Sequence, residues 1–555
     1  MMIRSKPVWG SKMWRRASTL SVAVLLLTSA PLWAQSRARL SDSLQKHVAA
    51  KSGAAIDVII HGSADEVNAI AARHGVRITK RLSEGAVLRA NAAQIEALSA
   101  DVDHLSRDVE VRSFMSVTNQ AVAADQVWAG VAGHPGFTGA GIGIALIDSG
   151  VWTGHRSLAG RVAFAKDFVG TGNGKGINAI SKEDPFGHGT HIGAIIAGNS
   201  PYPQDSTWQT PFRGVAPGAN LISLRVIDEN GLGLASNVMD AIDWAIRNRK
   251  RFNIRVINLS LGGPVEQSYL DDPMCEAVER AVHAGIVVVA AAGNRGKDAE
   301  GNSVYGFIES PGNDPYAITV GALNTKGTVG RSDDEMATYS SKGPTTIDGL
   351  IKPDLAAPGN KIVSAEALGG ALVADYPSLH AAGVGADAYM ILNGTSMATG
   401  VVSGAVALML EANSALTPVQ VKVALQHSAS FIPDAGLVGA GAGSLNVAAA
   451  VDAAIDGPSN EAVTIAGETI EPSGLVTLDP RMVGASKGKV KGNEIIWGDE
   501  VIWGDTIVWG NTIVWGNTIV WGNTIVWGNT IVWGNTIVWG NTIVWGNTIV
   551  WGNTI

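Results

Sequence analysis

The middle of this 555-residue sequence predicts an α/β protein built on a doubly wound, mostly parallel sheet. Short Val- and Ile-rich runs without polar alternation recur there, as expected of strands buried on both faces, and amphipathic stretches of helix length lie between them. Both flanks differ in kind. Ahead of this region the element order reads as a split ferredoxin-like α+β unit, and behind it a six-residue repeat reads as a β-rich array.

Residues 1–34 carry Arg4, Lys6, Lys12, Arg15 and Arg16, then an apolar stretch over 20–27, then Pro31 and Ala34. That is the order of an export signal. Its apolar core falls well short of the roughly 20 residues that cross a bilayer, and no later stretch is expected to span one. The product is therefore expected outside the cell or on its surface. With Cys275 as the single cysteine, an exported chain has no internal disulfide and relies on its core or on bound ions. Cys275 lies in a helix-like stretch and reads as a packed thiol. A formal net charge of −8, with basic residues clustered only at the start, gives no reason to expect a nucleic-acid partner.

Residues 35–115 read strand (56–60), helix (64–74), strand (75–82), strand (86–90), helix (92–100) and strand (103–111). A run of Ser, Thr, Asn and Gln at 116–120 then reads as an exposed, cleavable link. In the main unit, 116–456, strands are expected at 142–147, 220–226, 255–260, 286–291 and 317–320, with helices at 236–249 and 272–284. Functional groups should gather at the carboxyl ends of such strands. Residues 457–494 read as a linker with two strands. From 495 to 555 come ten hexads, mostly I-V-W-G-N-T, which hold ten of the 17 tryptophans. A single strand of that length is implausible, and Gly-Asn suits a tight turn, so short stacked strands are expected, as a solenoid or ribbon.

Three local patterns carry chemistry. Asp148 closes the apolar run 144–147, and alone it would be a cap. His188 stands between Gly187 and Gly189, which let backbone approach closely, ahead of the apolar helix 192–197. His191 raises the idea of a metal pair, but no nearby Glu or Cys completes a ligand set. Ser396, in Gly394-Thr395-Ser396-Met397-Ala398, opens the helical stretch 399–411, where a lone serine would be an N-cap. Together they arrive as Asp, His and Ser, each at a glycine-flanked junction of strand and helix. A serine hydroxyl is a weak nucleophile until a base takes its proton, and a histidine titrating near 6.5 suits that task.

With these motifs, and with Ala290-Ala291-Ala292-Gly293-Asn294, the region from about 117 to 456 resembles the subtilisin-like serine proteases, the subtilases. The resemblance implies Ser396 as nucleophile, His188 as general base and acid, and Asp148 as the group that orients the imidazole. Asn294 and the Ser396 backbone N–H would hold the oxyanion. Ser260, Leu261 and Gly262 would form one edge that pairs with a peptide backbone, Gly231 to Gly233 the other. Ala292 and Gly293 would wall the primary pocket, with Glu309 near its floor and Arg295 placed to cancel its charge.

A secreted endopeptidase acting on polypeptides through an acyl-enzyme follows. It would be made as a precursor whose 35–115 unit aids folding, inhibits, and is cleaved off between 108 and 124. No cofactor is needed for the chemistry. Calcium commonly stabilises the family, and Asp333, Asp334 and Glu335 are loop carboxylates, yet no ligand set can be assembled from them. The usual proline after the serine motif is replaced here by Thr399-Gly400, which implies a more flexible helix start. A rival reading makes the repeat array the functional part, binding a cell surface, a glycan or itself while the protease serves maturation. An esterase is disfavoured by the order of the three residues and by the lack of a Gly-x-Ser-x-Gly elbow.

Overall fold

The computed structural model describes residues 38–108, 110–113, 120–131, 133–169, 183–200, 212–479 and 482, together with ten four-residue strands between 494 and 551. The expected export signal and nearly all of the link at 116–120 lie outside the described residues.

Strands Val162–Asp167, Asn220–Arg225, Gly143–Asp148, Ile254–Leu259, Val287–Ala291 and Ile318–Asn324 lie side by side in that spatial order, all parallel. Leu355–Pro358 adds to the far side of Ile318–Asn324, also parallel, and Glu335–Met336 pairs there antiparallel. The first strand of this sheet in chain order, Gly143–Asp148, is thus central, and the chain winds away from it in both directions. Alternate side chains on these strands enter opposite cores, as the two-residue period of a strand requires. Ile144 and Leu146 pack with helices His188–Ala197 and Thr395–Ala412 on one face. Ala145 and Ile147 pack with helices Ala235–Phe252 and Pro273–His283 on the other. Thr395–Ala412 is long and apolar enough to cross a membrane, but 89% of it is buried inside the protein, and it serves as the central core helix.

The N-terminal unit has strands Ile56–His61, Arg77–Leu82, Gly85–Ala90 and His104–Arg107, paired antiparallel in the spatial order fourth, first, third, second. Helices Ala64–His74 and Ala92–Leu98 cover it, each opened by a capping box, at Ser63 with Glu66 and at Asn91 with Gln94. The continuous strand expected over 103–111 is broken. After Arg107 the chain leaves this sheet, Asp108 accepts hydrogen bonds from Ser236 N (3.1 Å) and Ser236 Oγ (2.8 Å) at the start of helix Ala235–Phe252, and Glu110–Ser113 joins a different sheet.

The stretch expected as a linker is also different in character. Val463–Ile465 and Glu468–Ile470 form a hairpin whose Ile465 and Ile470 enter the main core, and Val476–Leu478 is buried. Beyond it, Glu494–Trp497 and Glu500–Trp503 pair antiparallel, and from Thr506 on each hexad strand pairs parallel and in register with the strand two copies on, Thr512–Trp515 with Thr524–Trp527 for instance, so alternate later copies belong to separate sheets.

Candidate active site

Asp148 ends the strand at which the winding reverses, where groups from both directions can converge. His188 is the first residue of its helix, after Gly187 at φ 104°, a left-handed conformation that favours glycine. A Cβ on Gly189 would lie 2.1 Å from the Gly150 carbonyl oxygen and 3.2 Å from Asp148 Cβ. The glycines around His188 therefore let its helix start directly against the end of the aspartate strand. His188 Nδ1 donates to Asp148 Oδ1 at 2.7 Å, and the Ser149 backbone N–H donates to the same oxygen at 2.7 Å. Asp148, His188 and Ser396 are completely buried.

Ser396 sits in the first turn of the core helix. Its hydroxyl donates to the Ser260 carbonyl at 3.0 Å, and the Ser260 hydroxyl donates back to the Ser396 carbonyl at 2.6 Å. Asn258 and Ser403 extend this buried polar chain. Gly400, expected to loosen the helix start, has a packing role: a Cβ there would lie 3.2 Å from Ile195 and 3.3 Å from Ile192. It lets the serine helix and the histidine helix pack closely against one another.

Asn294 is fixed by its acceptor end. Thr395 N and Thr395 Oγ1 donate to Asn294 Oδ1 at 3.0 and 3.2 Å. A backbone N–H has to meet an oxygen, so the amide nitrogen is left as a donor beside Ser396. Leu232–Leu234 and Leu261–Gly262 face one another as two edges with Glu110–Ser113 between them, antiparallel to both. Gly231 turns into the first edge at φ 75°, packed on the Phe186 ring. Gly233 pairs with Val111, and Gly262 with Arg112.

Glu309 packs against Gly262 and Gly293, where added Cβ atoms would lie 3.0 and 2.9 Å from its side chain. Its N–H donates to the Ala292 carbonyl at 3.1 Å. Arg295 Nε pairs with Glu309 Oε1 at 2.8 Å while Oε2 is buried without a hydrogen-bond partner. Burial raises the Glu309 pKa, and Arg295 opposes that shift.

One functional residue was missed. Asp184 is buried, and its carboxylate accepts from Ser149 Oγ (2.8 Å), Gly187 N (2.8 Å), Thr190 N (2.7 Å) and Thr190 Oγ1 (2.7 Å). It locks the turn that presents His188 to the segment after Asp148. Its signal was an Asp four residues before the histidine, within capping reach of a helix start. His191 lies behind the site, its Nε2 3.3 Å from the Met390 carbonyl oxygen, with its pKa pushed down to about 3 by burial and then by His188. Cys275 is buried and raised well above its ordinary pKa by burial, an inert thiol. The loop carboxylates are engaged separately: Asp333 accepts from Thr328 Oγ1 at 2.8 Å and Glu335 pairs with Lys326 at 3.2 Å.

A carboxylate, an imidazole, a serine and an amide donor at the strand ends of a doubly wound sheet define a serine hydrolase. Residues 139–461 match Peptidase_S8, the subtilase family, and the chain belongs to that family; it is a serine endopeptidase. It is 34% identical over 348 residues to the serine protease AprX of Bacillus subtilis, covering 61% of this chain and 71% of that one. Against subtilisin E of the same organism it is 34% identical over 316 residues, covering 57% of this chain and 67% of that one. The crystal structure of fervidolysin from Fervidobacterium pennivorans, a keratinolytic enzyme related to subtilisin, superposes with a TM-score of 0.55 at 20% identity. That match covers 77% of this chain and 64% of that one, and it speaks to the fold alone.

Proposed function

We propose that the protein is exported, folds with its own N-terminal unit seated in the substrate groove, cuts that unit off, and then hydrolyses extended segments of polypeptides. The observation that carries this is the strand Glu110–Ser113, held between two edges beside Ser396 as a substrate backbone would be. In the reaction His188 takes the Ser396 hydroxyl proton as Oγ attacks the carbonyl carbon, and Asp148 keeps the ring oriented and stabilises the imidazolium. Asn294 and the Ser396 N–H receive the charge that develops on the former carbonyl oxygen. The C–N bond breaks, His188 passes its proton to the leaving amine, and water then hydrolyses the acyl-serine. These four residues supply every group the chemistry needs, so no metal is assigned a part in it.

Ser113 pairs with Leu261, and Leu261 follows the Ser260 carbonyl that accepts from Ser396. The residue after Ser113 in the sequence is Phe114, and the bond on its carboxyl side is the one proposed to be hydrolysed, which gives a mature chain beginning at Met115. The test is Ser396→Ala. The variant should remain full length, and its casein hydrolysis should fall by a factor of at least about 10⁴. Continued processing and hydrolysis at the wild-type rate would overturn the assignment, and N-terminal sequencing of the wild-type product checks the bond.

A second role is proposed for the hexads. Their in-register pairing, Trp527 with Trp539 and Trp539 with Trp551, favours a stacked array that presents like residues at regular intervals. Deleting 495–555 should leave peptidase activity intact and abolish retention at a surface or glycan. Retention that survives the deletion removes this role.

A further inference from the structure

We infer that His61, His104 and Glu276 form a site for a divalent transition metal of the zinc type, which bridges the N-terminal unit to the body of the enzyme. This builds on the reading of residues 38–113 as a unit released after cleavage, but the site itself is argued from geometry.

The two histidines come from neighbouring antiparallel strands. Ile59 pairs with Ser106, so two steps further along the ladder His61 and His104 stand opposite one another on one face, with ring centroids 4.9 Å apart. Glu276 comes from the other partner, in the first turn of helix Pro273–His283. Its Oε2 lies 3.2 Å from His61 Nδ1 and its Oε1 3.6 Å from His104 Nε2. One ligand atom from each of the three residues falls within 4.8 Å of the others. Zinc bound at about 2.0–2.1 Å in tetrahedral geometry sets its ligand atoms about 3.3 Å apart, which the two Glu276 contacts of 3.2 and 3.6 Å already match, while the histidines close on the ion from within 4.8 Å of one another.

Hydrogen bonding alone leaves this cluster unsatisfied. The Nε2 of His104, the atom that faces Glu276, is buried without a hydrogen-bond partner, an arrangement that costs free energy unless something fills it. Asp272, Glu279 and Glu84 act on Glu276 electrostatically, against Arg280, and these carboxylates favour a divalent cation at this place. Two imidazoles and one carboxylate are a donor set suited to zinc.

Two ligands belong to one partner and one to the other, so the ion binds the joined form more tightly than either part. By mass action it then slows their separation. The first test is metal binding by the full-length Ser396→Ala chain, which needs no cleavage and so does not depend on the proposed processing. Cobalt(II) should give tetrahedral visible absorption, and dialysed protein should retain one more equivalent of zinc than either His61→Ala or His104→Ala. His134→Ala, in the other candidate cluster of His134, Asp452 and Asp456, controls for binding elsewhere and should behave as the parent. Unchanged zinc content and absorption in His61→Ala and His104→Ala, both folded by circular dichroism, overturn the site.

The second test follows release of the N-terminal unit from wild-type enzyme by size-exclusion chromatography. Zinc should slow release at least about tenfold relative to EDTA, and His61→Ala should remove the difference. Metal binding without any effect on release would keep the site and overturn its bridging role.

Discussion

Two segments are added to the peptidase body, and they are attached by different means. The N-terminal unit, 38–113, has its own closed core of Val58, Ile60, Leu88, Ile95 and Leu105. It meets the body mainly through polar and charged groups: Asp108 with Ser236, Lys80 with Asn237 and Asp240, Arg39 with Asp271, and the two histidines with Glu276. Among the described residues, Ile59 and Val87 are the fully buried apolar side chains of the unit that join the core of the body. The C-terminal stretch, 463–478, is packed onto the body: Ile465 and Ile470 are part of the main core, Val476 and Leu478 cluster with Tyr316, Val419 and Val423, and Thr477 shares Gln426 with Asp354. The contrast supports the proposal that the N-terminal unit is the one that separates. A unit that keeps its own core loses little when it separates, whereas a segment that completes another core does not survive apart from it.

The largest effect expected in testing this contrast is at Asp354. Lys352 and Lys422 both reach its buried carboxylate at 2.8 Å, and Gln426 links it to the C-terminal stretch. Asp354→Asn leaves two buried ammonium groups without their counter-charge and should cost about 3–5 kcal/mol of body stability, read from urea unfolding in the Ser396→Ala background. Burial acts to raise the Asp354 pKa, but Lys352 and Lys422 outweigh it and hold it below its ordinary value. Its contribution is therefore complete above about pH 4, the unfolded range, and is lost as pH falls below that through the lower folded value. Unfolding midpoints measured from pH 6 to pH 2 should drop at the acid end in the parent and less in Asp354→Asn.

Ile465→Ala comes next, at about 2–4 kcal/mol from the same unfolding transition. A separate, earlier transition for the C-terminal stretch would break the claim that it belongs to the body. The smallest effect is at Lys80, whose ammonium lies 3.2 Å from Asp240 across the N-terminal interface. Lys80→Ala should weaken the hold on the N-terminal unit by about 1 kcal/mol, roughly fivefold in dissociation rate. It should leave the unfolding of the body unchanged. A loss of body stability equal to that of Ile465→Ala would erase the distinction.

The five expected strands of the main sheet form within a few residues of their assignments, because full burial on both faces leaves an uninterrupted apolar run. The N-terminal helix expected at 64–74 forms at those residues, its ends fixed by the Ser63–Glu66 capping box and by Gly75. The break at 108 was not, because nothing local tells a chain to leave one sheet for another; the nearby helix start that captures Asp108 is more than a hundred residues away. Val463 to Leu478 read as linker because its short strands are recognisable only against the core they complete.

Asp148, His188, Ser396 and Asn294 stand out as candidates in the sequence because each sits where the backbone must turn tightly or touch another segment, and glycine marks such places. The groups that gather by long-range approach left no mark: Lys352 and Lys422 on Asp354, His61 and His104 on Glu276. A lysine or a carboxylate is written the same way in a sequence whether water or another charge will be its neighbour, and only folding decides which.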